Sequence, residues 1–107
     1  MNQDPKKAPA DSLAILIQTP TLLDNARALA LAALRKGKRV HLHISGKGIQ
    51  LINHPGFTDL CRQTETTVCQ DCLSASGYLL DPSLDISLVR RQYQVALLQH
   101  STRVVVL

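Results

Sequence analysis

The stretch LAILIQTPTLLDNARALALAALRKGKRVHLHIS, residues 13–45, decides the fold. It opens on an apolar run, LAILIQ (13–18), of the kind that forms a strand buried on both faces. Thr21 stands as the cap of a helix, with Asp24 three residues on, a box-like start. Leu22, Ala26, Leu29 and Ala33 then keep helical spacing, and Ala30 and Leu34 widen the stripe. Gly37 is placed to stop that helix. RVHLHIS (39–45) alternates strictly and reads as a second strand. A strand, a helix and a strand in 33 residues make a βαβ unit, whose strands run parallel.

Outward from this unit, GKGIQLINHPG breaks the periodicity, and FTDLCRQT (57–64) fits a short helix. TTVC (66–69) is β-branched and apolar, a short third strand. QDCLSAS suits a helix that Gly77 ends, and YLLDPSLD connects it onward. ISLVRRQYQVALLQH (86–100) reads as helical, with Leu88, Tyr93, Ala96 and Leu97 on one side. RVVVL (103–107) reads as a last, fully buried strand. The expectation is an α/β layered fold with a mostly parallel sheet, its strands near 13–18, 39–45, 65–69 and 103–107. Residues 1–11 are polar and carry Pro5 and Pro9, so they read as a flexible leader to a single domain over 12–107.

Composition narrows the class of function. The chain has 107 residues, 45% of them hydrophobic, which is enough for one core. No apolar run is long enough to span a membrane, and MNQDPKKAPAD has no apolar signal region. A cytoplasmic location with reduced cysteines is expected. The net charge is +4, but Arg35, Lys36, Lys38 and Arg39 cluster where a helix ends and favour its carbonyl end. Aromatic residues are only 3%, so base-stacking platforms are nearly absent and direct nucleic-acid binding is not expected.

Two of the three cysteines, Cys69 and Cys72, lie in VCQDC. Cys69 falls at the carboxyl end of the third strand, and Cys72 in the first turn of the next helix. Ligands gather at the carboxyl ends of parallel strands. Free N–H groups and the positive end of a helix dipole meet there, so a Cys69 thiolate with a lowered pKa is expected. A zinc site is short of ligands, because Cys61 and the four histidines supply no second pair at ligand spacing. No metal is therefore expected. Thioredoxin-type pairs follow the first strand of their fold, whereas this pair follows the third. Free cysteine is most often buried and inert. Cys61, on an apolar helix face, fits that reading; Cys72 admits either; the position of Cys69 points to function.

His41 and His43 share one face of the second strand. Under a strand order of 2-1-3-4-5 that strand is an edge, and a polar outward face is ordinary there. SGKG (45–48) lacks the phosphate-loop pattern and reads as a turn rimming the cysteine site. Asp71 stands where it can cap the helix, and its charge opposes the dipole at Cys69.

With these residues in place, the chain resembles the DsrE/TusD family of small sulfur-relay proteins. The resemblance rests on LAILIQTP leading into an Ala-rich helix and KGKRVHLHIS, and on GKGIQL after the second strand. It rests also on VCQDCLSASGY, with Cys69 eight residues before Gly77, and on the terminal STRVVVL. It spans residues 13–107. The segment 49–64 is shorter than in the family, Ser76 replaces a basic residue, and Thr102 replaces an acid. The resemblance implies flavodoxin-like subunits in a homo-oligomer, trimer or hexamer, or an assembly with related DsrE-like subunits. It implies a sulfurtransferase-like carrier that takes sulfane sulfur as a persulfide on Cys69 and works between sulfur donor and acceptor proteins, in tRNA thiolation or sulfur oxidation, without a cofactor. The alternatives are a non-catalytic oligomerising subunit and a thiol-disulfide oxidoreductase using Cys69 and Cys72.

Overall fold

The computed structural model describes residues 11–107, so the leader reading of residues 1–11 falls almost wholly outside the described residues. Strand β1 (Ser12–Ile17) is buried from Leu13 onward, as a run apolar on both faces requires. Helix α1 (Leu23–Arg35) packs Leu23, Ala26, Ala30 and Ala33 inward. Its cap is Leu22, with no side-chain hydrogen bond, so Thr21 does not cap it. The stripe is rotated accordingly: Leu23 is buried, while Leu22 and Leu29 are partly exposed. Gly37 ends the helix with φ +77°, a left-handed conformation that favours glycine. Strand β2 (Arg39–Ile44) then pairs parallel with β1, Leu13 opposite Val40 and Ile17 opposite Ile44.

The irregular GKGIQL segment is a 3-10 helix, Gly46–Leu51, that seals the core with Ile49 and Leu51. Helix α2 (Pro55–Cys61) follows, earlier than residues 57–64. The proline stands at its start, and the His54 side chain caps it by accepting from the Gly56 N–H. Strand β3 (Glu65–Cys69) runs into helix α3 (Gln70–Ser76), which Gly77 closes at φ +79°. Residues 86–100 are not one helix. Ser87–Val89 form strand β4 beside β3, and helix α4 covers only Tyr93–His100. A short β-branched run and a helical run abut here, and their apolar positions merge into one apparent period. Strand β5 (Arg103–Val106) is half-buried rather than fully buried, because it lies at the sheet's edge.

All pairings are parallel, and the order is β4-β3-β2-β1-β5. This corrects the order 2-1-3-4-5. Successive crossovers lay β2, β3 and β4 to one side of β1, and β5 returns to the other. β2 is therefore the central strand. One face of the sheet carries Ile15, Leu42, Ile44 and Val68 into the core formed with α1, α2 and α3. The other carries Ala14, Leu16, His41, His43, Thr67 and Cys69, and Tyr93 of α4 packs over it. No helix among the described residues is long and apolar enough to cross a membrane.

Candidate functional site: a thiol pair at the strand ends

Strand parity builds the site. β2 and β3 pair His43 with Thr67, so His43, Ser45, Thr67 and Cys69 share one face at the carboxyl ends of the strands. Gln18 after β1, Gly46 of the 3-10 helix, Cys72 of α3 and Arg91 before α4 close around them. All of these but Thr67 line an open cavity of about 390 Å³. SGKG thus rims the cysteine site, as the sequence indicates. Cys69 and Cys72 are brought together, both as free thiols; Cys61 lies apart, buried in the core. Burial pushes the Cys61 thiol up to about 11, the state of an inert core cysteine.

The two cavity thiols differ. Cys72 is half-buried, and its Sγ accepts a hydrogen bond from the Gly46 N–H at 3.3 Å. Cys69 is buried, 2% exposed overall, and is itself the N-terminal cap residue of α3, so Asp71 does not cap that helix. Its pKa is raised, not lowered. Burial is the main cause, and the neighbouring Cys72 side chain adds to it. Backbone N–H groups of Cys72 and Asp71 oppose the rise and are outweighed. A helix of seven residues offers few free amides, and desolvation of a buried anion costs more than they return.

His41 and His43 are not a solvated edge. His43 is 1% exposed. Thr67 Oγ1 bridges the pair, 2.9 Å from His43 Nδ1 and 3.0 Å from His41 Nε2. The Tyr93 ring packs over both, with centroids 6.0 Å from His43 and 5.6 Å from His41. Burial, and then the neighbouring His41, pull His43 down to about 4. His41 is also lowered, chiefly by burial and against the attraction of Glu65. Glu65 closes the outer end: its Oε1 lies 3.8 Å from His41 Nδ1, and its Oε2 accepts from Arg39 at 2.8 Å. Sequence reading missed Thr67 and Tyr93 as neighbours of the histidines and Arg91 as a neighbour of the thiols. The signal for Thr67 was present, since it stands two residues before Cys69 on the same strand and so on the same face. No group of three or more metal-ligating side chains occurs among the described residues.

Five parallel strands between helices, in this arrangement, make the flavodoxin-like DsrE-type fold. The ychN protein of E. coli, known from a crystal structure, has the same fold. It superposes with a TM-score of 0.73 over 92% of this chain and 100% of its own, at 13% identity. No protein-family model and no curated protein matches the sequence.

Proposed function

We propose that the chain is a sulfur-relay protein that accepts sulfane sulfur on Cys69 as a persulfide and passes it to an acceptor thiol. One observation carries the reading: two reduced thiols and a neutral imidazole line a single open cavity at the carboxyl ends of a parallel sheet. The DsrE-type fold and the resemblance of VCQDCLSASGY support it. In the transfer, Cys69 Sγ attacks the outer sulfur of a donor persulfide. The new S–S bond forms on Cys69, the donor's S–S bond breaks, and the Cys69 proton ends on the departing thiolate. There is no net oxidation. The chemistry fits a cytoplasmic carrier working between a donor and an acceptor protein, in tRNA thiolation or sulfur oxidation.

A second reading is a thiol-disulfide oxidoreductase, favoured by the two free thiols, Cys69 and Cys72, that line one cavity. Incubation with a cysteine desulfurase and cysteine, followed by mass spectrometry, separates the two. One added sulfur on Cys69 supports the carrier. Loss of two hydrogens linking Cys69 and Cys72 supports the oxidoreductase. No change on any cysteine leaves a non-catalytic subunit.

A further inference from the structure

Cys69 holds its proton at neutral pH, so sulfur uptake needs a proton acceptor at the cavity. We infer that His43 is that acceptor, and that a chain of Glu65, His41 and Thr67 fixes which of its nitrogens is free. The inference rests on the carrier reading above.

The tautomers follow from one end of the chain to the other. The Glu65 carboxylate draws a proton to His41 Nδ1, 3.8 Å away. His41 Nε2 is then a bare acceptor, and the single proton of the Thr67 hydroxyl goes to it at 3.0 Å rather than to the Leu42 carbonyl oxygen, which lies farther off at 3.5 Å. The Thr67 oxygen in turn accepts from His43 Nδ1–H. His43 Nε2 is left without a proton, and His43 lines the cavity that it shares with both thiols. Glu65, His41 and Thr67 act through His43 and are positioning residues.

The groups that face His43 keep it a free base. Tyr93 packs on its ring, His41 lies along its own strand, and Cys69 and Cys72 stand across the cavity with Arg91 at the rim. Burial and the neighbouring His41 disfavour a positive charge on His43. As the new S–S bond forms, the attacking Cys69 sulfur loses its basicity, and its proton passes to His43 Nε2 in the same step. The imidazolium so formed, in a site that disfavours it, surrenders the proton readily to the departing donor thiolate. His43 ends as it began.

The test uses the full chain and glutathione persulfide. In ¹⁵N-labelled protein, long-range ¹H–¹⁵N spectra are expected to show His43 with Nδ1 protonated and Nε2 bare; a protonated Nε2 overturns the inference without any variant. Uptake on Cys69, followed by mass spectrometry, is expected to be nearly independent of pH between 6 and 8 in the wild type. His43→Gln is expected to slow it about 100-fold at pH 7. Its residual rate should climb about tenfold per pH unit, as attack then depends on free thiolate. Thr67→Val, close in shape, should give an intermediate rate and a mixed tautomer. A Gln variant with the wild-type rate and pH profile overturns the inference alone. A wild type inert to glutathione persulfide overturns the carrier reading and the proton role together.

Discussion

Cys69 and Cys72 are three residues apart in sequence and chemically distinct in place. Cys69 is buried in the cavity that His43 also lines, whereas Cys72 is half-exposed and takes the Gly46 N–H on its sulfur. Cys69→Ser is expected to abolish persulfide uptake. Cys72→Ser should keep it and lengthen the persulfide's life, because the nearest thiol able to resolve it is gone; intact mass followed over time checks both. Loss of uptake only in Cys72→Ser would move the acceptor role by one helical turn. His43 also ties stability to pH. Its folded pKa of about 4 lies below the 6.5 of a free histidine. Between these values the unfolded chain binds a proton that the native chain refuses. The contribution is thus complete above pH 6.5 and is lost as pH falls towards 4, with a ceiling of about 3 kcal/mol. Urea unfolding at pH 7 and pH 4.5 should show a smaller pH-dependent loss in His43→Gln than in the wild type. The thiol pair was legible in the sequence because C-x-x-C at a strand end is a local pattern. The role of His43 was not, because H-x-H reads as a solvated face until β2 is known to lie between two other strands.

At the scale of elements, the 3-10 helix Gly46–Leu51 joins the core to the thiol site. Its Gly48 lies against the end of β1 so closely that an added methyl would collide with the Ile17 carbonyl oxygen. Gly48→Ala should therefore cost about 1–3 kcal/mol and shift the Gly46 N–H that Cys72 accepts. Gly77→Ala serves as the contrast. Its methyl would meet nothing within 4 Å, so its cost is the left-handed backbone alone, about 1–2 kcal/mol. Denaturant midpoints report both costs. The rate of Cys72 alkylation should change only in Gly48→Ala. The βαβ unit was legible because its periods are long and cleanly separated by Gly37. Strand β4 was not. Three residues, Ser87–Val89, are too few to show a period, and their apolar side chains fall in step with those of α4.

For the whole molecule, one face of the sheet has only α4 above it among the described residues, and that helix leaves Val95 and Leu98 about half exposed, 55% and 48%. At the sheet's edge Val106 is 56% exposed. A small domain with apolar side chains so placed gains by burying them against further copies. Light scattering at micromolar concentration is expected to give three or six times the 11.7 kDa chain mass, the assemblies that the family resemblance implies. A monomer mass would refute the assembly. Val95→Asp with Leu98→Asp should dissociate it while leaving the secondary structure intact. The parallel α/β class was readable from alternating strand and helix patterns. The strand order was not, because nothing local in Arg103–Val106 says on which side of β1 it will lie.

That placement sets a timetable for the chain on the ribosome. β1 can pair with β2 as soon as the first crossover has been made, but its other neighbour, β5, lies 90 residues downstream. At about 5–20 residues per second, translation leaves that flank of β1 open for roughly 5–18 s. The exposed backbone of Leu13–Ile17 is apolar and without charge, a template for any passing strand. The nascent protein is thus most vulnerable to mispairing through β1, and the hazard ends only when β5 arrives.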